Sequence, residues 1–242
     1  MEKPRVLVGC PTYDGKEYCL KEYIEGLKSL TYENFEVCIA DNSRKPEYFK
    51  KIREIAGDWN SERKQKFAVK KIGYNSDIAR QRIVESRNAL REKALNEGFD
   101  YFFSLEQDLI PPPDCIERLL ERKRKVISGT YFNIVPERDA VVVLAYKSIG
   151  INAGGKIIHK TLDLFELFPS RIIEGLLATG IGCMLIHRDV LKKVKFRFVN
   201  GEKAFDDWWF CEDAAAIGEP VVLDTSMFFG HDYRAWVKDD KY

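Results

Sequence analysis

The first 105 residues alternate short apolar runs with stretches of helical periodicity, and few folds accommodate that pattern. "RVLVGC" (5–10) is a continuous apolar run that suits a strand buried on both faces. After "PTYDG", Leu20, Ile24, Leu27 and Leu30 recur at helical spacing. "FEVCIAD" (35–41) is a second buried strand, and Pro46 is placed to open the next helix, with Gly57 as its stop. "KFAVKKIG" is a weaker third strand, residues 77–96 form a long helix ended by Gly98, and "FDYFFSL" is the fourth strand. This β-α-β-α-β-α-β order predicts a Rossmann-like, mostly parallel central sheet flanked by helices. Ligands of such sheets bind outside the carboxyl ends of the strands. Three strand ends carry polar clusters: Pro11-Thr12-Tyr13-Asp14, Asp41-Asn42-Ser43 and Glu106-Gln107-Asp108.

The pattern changes after Pro111-Pro112-Pro113. "DCIERLLERKRK" reads as a short helix; "VISGTYF", "AVVVLAY" and "KIIHK" read as strands joined by Gly-rich turns. "LLATGIGCMLIHR" is a longer apolar stretch, "RDVLKKV" and "FDDWWFCEDAAAIG" are helical, and "PVVLD" is a last buried strand. With neither repeat nor low-complexity linker, the 242 residues read as one domain of two halves, 1–109 and a smaller mixed half, 110–242.

Composition excludes several classes. A net charge of +1 gives no argument for nucleic-acid binding. No apolar stretch approaches the roughly 20 residues of a bilayer span, and "MEKPRVLVGC" lacks a signal-peptide layout. The expectation is a soluble, cytoplasmic protein, with peripheral membrane contact left open. The six cysteines are scattered without a C-x-x-C pair and read as small core hydrophobes.

Three segments can carry chemistry. Alternate residues of an extended segment point the same way, so Glu106 and Asp108 are expected to share a face. Two close carboxylates invite a hard divalent cation such as Mg²⁺ or Mn²⁺, which commonly bridges protein carboxylates to phosphates. On the long helix, Arg80, Ile83, Arg87, Leu90 and Ala94 fall on one stripe, which sets Arg87 beside buried surface as a fixed cation suited to phosphate. In "FDDWWFCED", Asp206 suits a helix cap and leaves Asp207 to face a pocket. His231, beside Gly230 near a strand end, is a further candidate ligand.

Together these segments resemble family 2-type glycosyltransferases of the GT-A fold. The likeness lies in "VLVGCPTYDGKEYCLKEYIEGLKSLTYENFEVCIADN", "ESRNALREKALNEGFDYFFSLEQDLIPPPDCIERLL", "TGIGCMLIHRDVLKKV" and "FDDWWFCEDAAAIGEPVVLDTSMFFGHD". The resemblance implies transfer of a sugar from a UDP or GDP donor to an acceptor hydroxyl, metal-dependent and inverting, with a glycan, lipid-linked or protein acceptor. It implies a base pocket of Pro11, Thr12, Tyr13 and Asp41, with Arg87 at the nucleotide or diphosphate. Asp108 would bind Mn²⁺ or Mg²⁺, with Glu106 at the ribose or a metal-bound water and Gln107 among the substrate-binding residues. His231 would complete the metal or diphosphate site, and Asp207 would be the general base. The family's D-x-D is E-x-D here, and its Glu-Asp pair is Asp206-Asp207. A degenerate module that binds nucleotide or glycan without turnover is one alternative. A sugar nucleotidyltransferase is another, although "CPTYDGKEY" is not a Gly-rich phosphate loop. A Rossmann oxidoreductase lacks its G-x-G-x-x-G after the first strand.

Overall fold

A computed structural model describes residues 3–135, 140–152, 154–168 and 171–234. The first half is laid out as the periodicity predicts. Strands Val6–Thr12 (β1), Phe35–Asp41 (β2), Phe67–Lys71 (β3) and Tyr101–Leu105 (β4) alternate with helices Leu20–Ser29 (α1), Pro46–Glu62 (α2) and Ala79–Asn96 (α3). Pro46 stands in the first turn of α2, where its missing N–H costs nothing. Gly98 at φ +73° takes the left-handed conformation that ends α3. One boundary differs: α2 runs through Gly57 to Glu62. Trp59, only 2% exposed, packs in the core from that last turn, and its Nε1 donates to the Gln65 carbonyl at 2.7 Å. Burial of this indole outweighs the roughly 1 kcal/mol cost of a helical glycine.

The chain then forms Leu109–Ile110 (β5), helix Cys115–Glu121 (α4), Val126–Thr130 (β6) and Phe132–Val135 (β7). Ala140–Val143 (β8), Ala145–Ile151 (β9), Ile157–Thr161 (β10), Ile172–Ile173 (β11), Leu176–Thr179 (β12) and Cys183–His187 (β13) follow. Helices Arg188–Lys193 (α5) and Asp206–Ala216 (α6) precede Val222–Phe228 (β14) and Gly230–His231 (β15). The central sheet has eight strands in the order β11-β14-β6-β13-β4-β1-β2-β3. Neighbours β4-β1, β1-β2, β2-β3 and β14-β6 are parallel, while β13 runs antiparallel to both β4 and β6. The sheet is thus mostly parallel, draws strands from both sides of residue 109, and has helices packed against it.

Apolar side chains fill both sides of the sheet. Val6, Val8, Val37 and Ile39 face a cluster with α1 and α2, while Leu7, Cys38 and Phe102 face one with α3 and α6. This two-sided burial explains why the parallel strands read as unbroken apolar runs. All six cysteines are buried and free, and burial pushes thiols such as Cys183 up to about 12. No helix among the described residues is long and apolar enough to cross a membrane.

Candidate functional site

Parallel pairing brings the ends of β1 and β2 to one rim: Thr12 lies opposite Asp41, and Asp41 opposite Lys71 on β3. Asp41 is fully buried. Its Oδ1 accepts from the Ser43 N–H at 3.0 Å and from the Ser43 hydroxyl, and its Oδ2 accepts from Lys71 Nζ at 2.6 Å. Lys71, whose side chain is 35% exposed, therefore covers this carboxylate. Of the other three predicted base-pocket residues, Thr12 is buried and Pro11 half-buried, while Tyr13 presents its ring at the rim. The ring lies over Gly15, where a Cβ would overlap it.

The acidic segment departs from the extended geometry assumed for it. β4 ends at Leu105, and the Leu109 N–H donates to the Glu106 carbonyl at 3.0 Å, closing a turn over residues 106–109. Alternation no longer holds, so the two carboxylates part. Glu106 accepts from Arg87 Nη2, whereas Asp108 Oδ2 accepts from Lys16 Nζ and lies 3.5 Å from His231 Nε2. Burial alone would raise the Asp108 carboxyl, but the Lys16 ammonium and His231 outweigh it and hold it below the usual carboxylate range. His231 reaches this place because β15 pairs with β5, setting His231 opposite Leu109; its Nδ1 lies 2.7 Å from the Phe132 carbonyl. Burial would lower the imidazole, yet Asp108 raises it above the ordinary value.

Gln107 does not stand open to a substrate. It is 2% exposed, and its Oε1 accepts from the Thr12 hydroxyl and from Tyr48 at 2.9 Å. Its Nε2 donates to the Lys16 carbonyl at 2.6 Å. With both ends of the amide engaged, Gln107 braces the turn against β1 and the Asp14–Cys19 3₁₀ segment that follows it.

Arg87 joins the two halves. This guanidinium, 2% exposed, donates from Nη1 to Ser104 Oγ at 2.7 Å and from Nη2 to Glu106. Its Nε forms an ion pair with Asp206 Oδ2 at 2.6 Å. Burial would weaken the guanidinium's hold on its proton, but Asp206 and Glu106 more than offset it. Asp206 is thus not the expected cap. Phe205 is the N-cap residue of α6, without a side-chain capping bond, and Asp206 is the first helical residue, turned onto Arg87. The arginine's charge outcompetes a capping N–H for that carboxylate. Asp207 follows, half-buried, with Oδ1 accepting from the Trp208 N–H at 2.7 Å. Burial first, and the neighbouring Asp206 second, push its carboxyl up to about 7.

Four carboxylates (Glu106, Asp108, Asp206 and Asp207) thus face two cations, Arg87 and Lys16. The donor set suits a divalent cation in part. Asp108 Oδ1 is buried without a hydrogen-bond partner among the described residues, and His231 Nε2 lies 3.5 Å from the other oxygen of the same carboxylate. Among the described residues no group of three or more His, Cys, Asp or Glu forms a cage of its own. A hard cation here would take its remaining oxygens from elsewhere, as Mg²⁺ and Mn²⁺ do from phosphates. Lys16, Lys71 and the Arg87–Asp206 pair escaped the sequence reading. Only Lys71 carried the signal that located the acids, since it ends β3, whereas Lys16 lies in the 3₁₀ segment after β1.

The profile of Glycosyl transferase family 2 matches residues 8–194. The chain belongs to that family. No curated protein sequence matches it significantly. Among solved structures, GalNAc-T7 with UDP, GalNAc and Mn²⁺ is similar with a TM-score of 0.65 at 12% identity, covering 94% of this chain and 44% of that one. TarS 1-349 of S. aureus in complex with UDP-GlcNAc aligns with a TM-score of 0.59 at 15% identity, over 93% of this chain and 57% of that one. At such identities the likeness establishes the fold, which is that of GT-A glycosyltransferases. This chain spans about half the length of these proteins.

Proposed function

We propose that the protein transfers a sugar from a nucleoside diphosphate donor to an acceptor hydroxyl, with divalent-metal assistance and inversion at the anomeric carbon. The observation that carries this reading is Arg87: one buried guanidinium ties the turn bearing Glu106 and Asp108 to the helix bearing Asp206 and Asp207. A phosphate-side carboxylate and a raised, half-buried carboxyl are thereby set at one rim by two separate elements. The family supports the reaction class, and the nucleotides named with the solved neighbours favour UDP over GDP.

Each residue then has a task. Asp108 and His231 would hold Mn²⁺ or Mg²⁺, with the donor diphosphate supplying further oxygens. When bound, that cation neutralises charge on the leaving nucleoside diphosphate, worth several kcal/mol in comparable enzymes. Tyr13 and Pro11 flank the base, and Asp41 accepts from a base N–H once Lys71 moves aside. Glu106 reaches the ribose from its anchor on Arg87. Asp207, when ionised, takes the proton of the acceptor hydroxyl as that oxygen attacks, and direct attack on the face opposite the leaving group inverts the centre. The acceptor is a glycan, a lipid-linked sugar or a protein hydroxyl.

The test is calorimetric titration of UDP, GDP and ADP with and without Mn²⁺, followed by hydrolysis of a UDP-sugar without acceptor. UDP should bind in a Mn²⁺-dependent manner and UDP-sugar should turn over slowly. Asp108→Asn should abolish the Mn²⁺ dependence while leaving the melting temperature near that of the parent. Tight binding without any hydrolysis or transfer would favour a nucleotide-holding module. Unchanged UDP and Mn²⁺ binding by Asp108→Asn would remove Asp108 from the metal site.

A further inference from the structure

The lysine on Asp108 has no role in the reaction outlined above. Lys16 lies in the 3₁₀ segment after β1, with its Nζ against Asp108 Oδ2. Its main chain is pinned: the Lys16 N–H donates to the Tyr13 carbonyl at 2.9 Å, and the Lys16 carbonyl accepts from Gln107 Nε2 at 2.6 Å. The four-carbon stem keeps its own rotatable bonds, so the ammonium can move while its backbone cannot. Lys16 is 21% exposed and Asp108 only 2%. The Lys16 side chain is thus the partly exposed member of a pair whose carboxylate is buried.

A divalent ion and an ammonium cannot both sit on the same side of Asp108, because like charges at contact distance in a poorly solvated site repel strongly. A diphosphate changes the balance, since it brings oxygens of its own for the ammonium. Resting on the reading of this rim as a donor and metal site, we propose that Lys16 is a resident counter-ion that keeps divalent metal off Asp108 until a donor diphosphate draws the ammonium away. Metal and donor then bind as a pair rather than in either order. Gln107 acts through Lys16, as the brace that sets the origin of the swing.

The experiment reads Mn²⁺ affinity by electron paramagnetic resonance and calorimetry, first without nucleotide and then with UDP. The parent should bind Mn²⁺ alone weakly and acquire tight binding when UDP is added. Lys16→Met should bind Mn²⁺ alone at least tenfold more tightly than the parent, while its UDP affinity at saturating Mn²⁺ falls about 10- to 100-fold through loss of a charge-assisted bond. Lys16→Arg, which keeps the charge, should restore exclusion of Mn²⁺ in the absence of UDP, a rescue that a merely structural lysine would not predict. Lys16→Gln serves as a second neutral variant should Lys16→Met melt early. Equal Mn²⁺ affinity of the parent and both neutral variants without nucleotide overturns the inference. A parent that binds no UDP at any Mn²⁺ concentration overturns the donor-site reading beneath it, and this inference with it.

Discussion

Asp207 is the residue on which turnover should depend most sharply. Its carboxyl is lifted to about 7 by burial and by Asp206, so its base form gains population as pH rises through that value. The transfer rate should climb up to tenfold per pH unit below about 7 and level off above it. Asp207→Asn should remove that limb and lower the plateau by about 10²- to 10⁴-fold. Stability should move the other way. A carboxyl raised in the folded state favours folding while protonated, and that contribution is lost as pH rises from the unfolded value through about 7. Asp207→Asn should therefore melt at or above the parent at pH 8, as thermal denaturation alongside the rate profile would reveal. A pH-independent rate with an undiminished Asp207→Asn variant would place the base elsewhere. Sequence located this acid pair but reversed the nature of its first member. Asp206 looked like a cap because caps are read from local spacing, whereas its partner Arg87 is more than a hundred residues away.

At the scale of elements, legibility followed locality. α3 and the strands β1, β2 and β4 were visible because their burial is two-sided or strictly periodic. The end of β4 at Leu105 was legible too, but the turn at 106–109 was not, because "EQD" holds neither glycine nor proline to mark it and was taken as extended. "TGIG" was read as part of a longer apolar stretch and of a segment that carries the family resemblance, but not as the link from β12 to β13 that it forms. A Cβ at Gly180 would overlap the Tyr131 hydroxyl, and one at Gly182 would come within 2.7 Å of Leu109 Cδ1. Tyr131 in turn meets His231 edge-on, with ring centroids 5.6 Å apart. Gly180→Ala should thus cost about 1–3 kcal/mol by overpacking, seen as a melting temperature lower by roughly 2–12 °C. Gly57→Ala makes the contrast. That glycine lies inside α2 with nothing within 4 Å of an added Cβ, so alanine there should stabilise by about 0.5–1 kcal/mol. A Gly180→Ala protein that melts with the parent would mean that Tyr131 gives way freely.

Across the whole molecule, the sequence suggested two halves meeting near residue 109, but it could not order their strands. Pairing of β13 between β4 and β6 joins residues about eighty and sixty positions apart, and no local rule specifies it. That pairing has a thermodynamic consequence. β4, from the first half, is hydrogen-bonded along five residues to β13, from the second, and Arg87 adds hydrogen bonds to Ser104 and Glu106 and an ion pair to Asp206. Unfolding either half would strip a strand neighbour from the other and leave Arg87 or its acids buried without a partner, so the halves should unfold together. Trp59 reports from α2 in the first half, and Trp208 and Trp209 from α6 in the second. Variants that retain only Trp59, or only the α6 pair, should give coincident thermal transitions by fluorescence. UDP with Mn²⁺ at a hundred times its dissociation constant adds about 2.7 kcal/mol. It should raise both transitions by the same amount, roughly 5–11 °C for a domain of this size. Separate transitions, or a nucleotide shift confined to Trp59, would show two units that fold independently. A donor bound to one would then have no means of ordering Asp207 in the other.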